Sequence, residues 1–114
     1  MTAVATTPTT HADTLDSARA TESRAVLHQF GHPAGVSAGS FTEAILRAAA
    51  VADPANRRKL GLGFPWLVGL TVAAQEIEEG MDVIASSLQP GADQEPVQNL
   101  VRRALFRAGL ADVI

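Results

Sequence analysis

Apolar positions along the chain recur with helical period, and the longest such segment runs from Phe64 to Leu88. Leu67, Leu70, Ala74, Ile77, Met81, Ile84 and Leu88 are spaced alternately three and four apart. That spacing puts all of them on one stripe of a helix that packs lengthwise against another. Between Pro65 and Ala74 the remaining positions are also apolar or small, so this half is expected to be buried all round. From Gln75 onward Glu76, Glu78, Glu79, Asp82 and Ser86 occupy the outside, and only the stripe stays apolar. The pattern predicts a single central helix over 65–88, opened by Pro65 and closed before Pro90-Gly91. Gly80 offers a competing end as a C-terminal cap. Glu76, Glu78 and Glu79 would then crowd the negative end of the helix dipole, at a few tenths to about 1 kcal/mol each. An interior glycine costs about 1 kcal/mol relative to alanine, and the stripe passes Gly80 without a change of phase, so the uninterrupted helix is the expectation.

The flanking segments read as shorter helices. Arg19, Glu22 and Arg24 lie on a weakly amphipathic stretch over 14–29, whose apolar weight gathers at Ala25, Val26, Leu27 and Phe30 before Gly31 and His32-Pro33 end it. Ser40-Phe41-Thr42-Glu43 matches a capping box and opens a helix over 41–52. Phe41, Ile45, Ala48 and Ala52 fall on one face of that helix, widened by Ala44 and Leu46. Asp53-Pro54 is a second start, with aspartate as cap and proline in the first turn, and predicts a short helix over 54–60 that Gly61-Leu62-Gly63 terminates. A last helix over 94–108 buries Val97, Leu100, Val101, Ala104, Leu105 and Ala108, with Gly109 after it. No segment alternates with the period of a strand. The expected fold is all-α: a small bundle of four to five helices with one long central helix (65–88). Residues 1–12 form a disordered tail and 13–114 a single helical domain, best defined over 40–109.

Composition narrows the chemistry. A chain of 114 residues corresponds to one domain. Its net charge of −3 gives no general electrostatic reason to seek DNA or an anionic membrane. The absence of cysteine removes disulfides, thiolate nucleophiles and thiolate metal sites and fits a reducing cytoplasm. The N-terminus has neither the basic nor the apolar region of a secretory signal. The uncharged run between Leu60 and Glu76 is shorter than a membrane span and is broken by Gly61, Gly63 and Pro65.

No catalytic pattern emerges. His28 and His32 are four apart but separated by Gly31, without the acid of a zinc-protease helix. Glu76 and Glu79 share a face without the Glu-x-x-His of a carboxylate-bridged metal site. Gly61, Gly63 and Gly69 fit neither a dinucleotide fingerprint nor a P-loop. No serine sits in Gly-x-Ser-x-Gly. Neither a cofactor nor a metal is expected.

Ser40-Phe41-Thr42, Ala52-Asp53, Asn56, Leu60 and Phe64-Pro65 together resemble a pattern found in small uncharacterised proteins of actinobacteria and their phages. The resemblance covers about a quarter of the chain and implies a mobile-element setting without assigning a role to any residue. A central helix of 24 residues would be roughly 36 Å long, against about 18 Å for the helix over 41–52, which leaves Ile77, Met81, Ile84 and Leu88 to be covered by the C-terminal helix within the chain, by a partner or by a second copy. The expected function is therefore a non-enzymatic interaction module docking through those four residues. The alternative is a small DNA-binding regulator that uses the basic cluster of Arg47, Arg57, Arg58 and Lys59.

Overall fold

The computed structural model describes the backbone of residues 11–113 and the side chains of residues 17–113. The first ten residues of the expected tail lie outside that range, whereas His11 and Ala12 are already helical. Among the described residues the chain is all-helical, with no strand: α1 (His11–Gln29), α2 (Ser40–Val51), α3 (Pro54–Gly63), α4 (Pro65–Glu76), α5 (Gly80–Ser86), α6 (Glu95–Arg107) and a terminal 3-10 turn (Ala111–Val113).

The organising element is α4. Every residue from Leu67 to Ala73 is buried, and α4 touches all five other helices. Its apolar circumference explains this position, since a helix without a polar face has to be enclosed. Thr71 is the polar exception, and its hydroxyl donates to the Leu67 carbonyl at 2.9 Å, so no hydrogen bond is lost on burial. Around α4 the core is completed by Ala25, Val26 and Leu27 of α1, Leu46 and Ala49 of α2, Ile84 of α5, and Val97, Leu100, Val101, Ala104 and Leu105 of α6. Each fully buried Leu, Ile or Val stabilises the fold by about 1.5–3 kcal/mol.

The expected uninterrupted helix over 65–88 is not what forms, and six helices replace the expected four to five. Ile77 adopts extended backbone angles (φ −111°, ψ 122°) and ends α4, while Gly80 begins α5 rather than capping the helix before it. The Ile77 amide donates to the Ala73 carbonyl at 3.1 Å and the Gly80 amide to the Ile77 carbonyl at 2.9 Å, so the break keeps its backbone groups paired. Gly80 lies directly on the last turn of α4, and a Cβ there would collide with the Ala73 carbonyl. The apolar stripe thus folds back on itself: Ile77 is 8% exposed and Ile84 0%, while Met81 and Leu88 are half-buried against the core.

Two local starts differ in outcome. The Asn56 amide donates to the Asp53 carboxylate at 2.8 Å, as the Asp-Pro start predicts. The capping box does not form: α2 begins at Ser40, Gly39 is its N-cap without a side-chain cap bond, and the Glu43 carboxylate accepts from the Ser37 hydroxyl instead. The third helix runs through Gly61 to Gly63 rather than stopping at Leu60, because Gly61 packs closely under the Leu110 side chain.

Candidate functional site: an apolar face on the second helix

The helix α2 is apolar on both sides, and one side stays uncovered. Leu46 and Ala49 enter the core and Ile45 packs against it, so the helix is rotated relative to the face expected from Phe41, Ile45, Ala48 and Ala52. Phe41, Ala44, Ala48 and Val51 consequently point outward, three, four and three residues apart. Phe41 is 66% and Val51 84% exposed, and both alanines are exposed as well. At one end Phe41 meets Phe64 with ring centroids 6.0 Å apart and planes tilted by 59°, an edge-on geometry favoured by aromatic pairs. Toward α3, Ala48, Val51, Asn56, Lys59 and Leu60 line a shallow groove of about 470 Å³. Leu62, at the far end of α3, is 64% exposed. The four side chains of the stripe together present on the order of 350 Å² of apolar surface, within the ~300–600 Å² of patches that often serve a function.

The seam residues are placed differently from expectation. Ile77 and Ile84 face the core and Met81 and Leu88 lean on it, so they form no free stripe. The reason is the reversal at Ile77, which lets α1 and α6 cover α5 within the chain.

The basic cluster is divided between α2, which carries Arg47, and α3, which carries Arg57, Arg58 and Lys59. Arg57 pairs with Glu76 at 3.3 Å, and Glu76 also holds Arg107 at 3.5 Å. Arg58 donates two bonds to Asp112, at 3.0 and 2.6 Å. Arg47 is exposed on α2, and Lys59 is exposed along the groove. Two of the four cations are thereby engaged by carboxylates on α4 and on the terminal turn, and no single basic face gathers all four.

A larger concavity of about 790 Å³ flanks α6, bounded by Arg19, Trp66, Arg102, Arg103, Phe106 and Arg107. Arg103 pairs with Glu79 at 3.0 Å, Arg107 shares Glu76 with Arg57, Arg102 donates to the neutral Asn99 amide oxygen at 3.1 Å, and Arg19 lies over the Trp66 ring. Among the described residues no group of three or more His, Asp or Glu is placed to hold a metal ion. The His32 imidazole Nδ1 accepts from the Ala34 amide at 3.0 Å, which fixes the turn after α1. No described helix is long and apolar enough to cross a membrane. Comparison with known proteins finds no family model, no curated protein and no solved structure that matches the chain.

Proposed function

We propose that this protein is a non-enzymatic interaction module whose contact surface is the outward face of α2 and the groove beside it, in place of the seam through Ile77, Met81, Ile84 and Leu88. The observation that supports this reading is a stripe of Phe41, Ala44, Ala48 and Val51 left bare on a helix whose other side already fills the core. Apolar side chains on a bare stripe gain about 25 cal/mol per Å² when covered, and small residues at its centre let another helix come close. The reading agrees with the mobile-element setting that the sequence resemblance implies. Arg57 and Arg58 spend their charge on Glu76 and Asp112, which is why the DNA-binding alternative is set aside.

A photo-crosslinking amino acid at position 51, introduced in cells that express the protein, is expected to yield a covalent adduct with another polypeptide or with a second copy. The same group at position 82, on exposed α5 surface, is expected to yield none. Absence of any adduct at position 51, or equal labelling from position 82, overturns the proposal.

A further inference from the structure

We infer that the occupant of this face is a second copy of the chain, related by a two-fold axis that crosses between the helices at the level of residue 46 and sets the two α2 helices antiparallel. The inference rests on the interaction-module reading above. Its first support is the order of sizes along the stripe. Phe41 lies five residues before Leu46 and Val51 five after it, while Ala44 lies two before and Ala48 two after. A two-fold operation on an antiparallel pair therefore lays Phe41 of each copy over Val51 of the other and brings Ala44 against Ala48 at the centre. An isologous interface needs such a self-complementary patch, with residue i meeting j and j meeting i. Two alanines at the crossing allow axes near the lower end of the ~8–10 Å range for packed helices.

Charge gives the second support. Glu43 and Arg47 sit on the same flank of the stripe, and antiparallel pairing turns that flank toward its own counterpart. Arg47 of each copy then comes to the side where the other carries Glu43, so opposite charges face each other along that flank, although the Glu43 carboxylate also accepts from the Ser37 hydroxyl. Lys59 and Asn56, at the edge of the groove, stay at the solvated rim, where polar residues belong.

Area sets the strength. The two stripes together bury on the order of 700 Å² of apolar surface, below the ~1,200 Å² at which stable complexes begin. The dimer is accordingly weak and depends on concentration, so its test has to trap it.

The chain contains no cysteine, so introduced thiols report without background. The single variants Ala44→Cys and Ala48→Cys, one of them labelled with heavy nitrogen, are mixed under mild oxidation and the linked species weighed by mass spectrometry. Facing alanines of an antiparallel pair come within the ~4.4–6.8 Å between Cα atoms that a disulfide spans. The expected result is a mixed disulfide between positions 44 and 48, formed about tenfold faster than either variant links to itself, because pairing raises the effective thiol concentration. Adding Val51→Glu to both chains is expected to abolish that preference while the helical circular dichroism and the melting temperature stay unchanged. Self-linkage of Ala44→Cys as fast as the mixed product indicates a parallel or random encounter and overturns the inference. Absence of linkage also overturns it, and a position-51 adduct to a different protein would then leave the interaction module standing with another occupant.

Discussion

At the scale of single residues, Gly69 sets how closely α6 packs on α4. A Cβ added there would lie 2.6 Å from the Val101 Cγ1 and 3.3 Å from the Leu105 Cγ, so the absence of a side chain is what lets α6 lie flat on α4. Gly69→Ala is expected to lower stability by about 1–3 kcal/mol, the usual range for overpacking a filled core. Val101→Ala in the same chain should recover part of that loss, because it removes the methyl that collides. Denaturant unfolding of the two single variants and the double one checks this, and strict additivity would show that the contact does not limit the packing. Which individual residues act as punctuation was partly readable from sequence. Asp53 with Pro54 signals a cap by its own chemistry and forms one. Ser40 with Glu43 carries an equally good local signal, yet Ser37 captures the carboxylate, and only the path of the preceding loop could reveal that competitor.

At the scale of elements, the apolar period identified the correct buried positions and assigned them to the wrong object. Leu67, Leu70, Ile77 and Ile84 share a stripe in sequence and share a core in space, but the chain reaches that core with two helices in place of one. Both pieces turn their apolar residues into that core, so their spacing in sequence does not reveal the break between them. What a single sequence lacks is the cost of leaving half a helix uncovered, which the reversal removes by laying α5 back on α4, α1 and α6. Ile84→Ala is therefore expected to destabilise the monomer by about 2–5 kcal/mol, the cost of a large-to-small change in a core. An unfolding midpoint unchanged at low protein concentration would instead mark Ile84 as surface. The second helix shows the converse problem. Its apolar residues exceed what one face can bury, and sequence gives no way to choose which surplus stays outside until Leu46 and Ala49 are seen to take the inner side.

On the scale of the whole molecule, carboxylates tie the outer elements to the core. Asp112 is held below the usual carboxylate range by hydrogen bonds from Arg58, and then by its own backbone hydrogen bond. Glu79 is likewise lowered, first by its backbone hydrogen bond and then by the one from Arg103. A group with a depressed folded pKa contributes stability above its unfolded value, near 4, and loses it as pH falls through the folded value. Glu22 acts in the opposite sense, since burial raises its pKa against the lowering influence of Arg19. Its charged form is disfavoured in the fold, so protonation relieves a penalty as pH falls through its raised value. The unfolding midpoint in denaturant is expected to rise slightly as pH falls from neutrality toward the ordinary carboxylate range and to decline once pH passes below about 4. Glu22→Gln should remove the rise, and Asp112→Asn should flatten part of the decline. A midpoint that falls steadily from neutrality would contradict the burial of Glu22.

Trp66 occupies the first turn of α4, and the Arg19 guanidinium of α1 lies 4.1 Å from the centre of its ring. It is the chain's one tryptophan, and the cation over its face is held there by the attraction of the ring's electron cloud. Among the described residues of α1 the buried ones run from Ser23 to Leu27, so Arg19 lies outside the stretch that anchors this helix. Indole emission responds to the charge and water held against it, so the molecule carries one intrinsic optical gauge at the boundary between its first helix and its centre. A change in that glow registers the first helix lifting away, separately from any loss of the helices behind it.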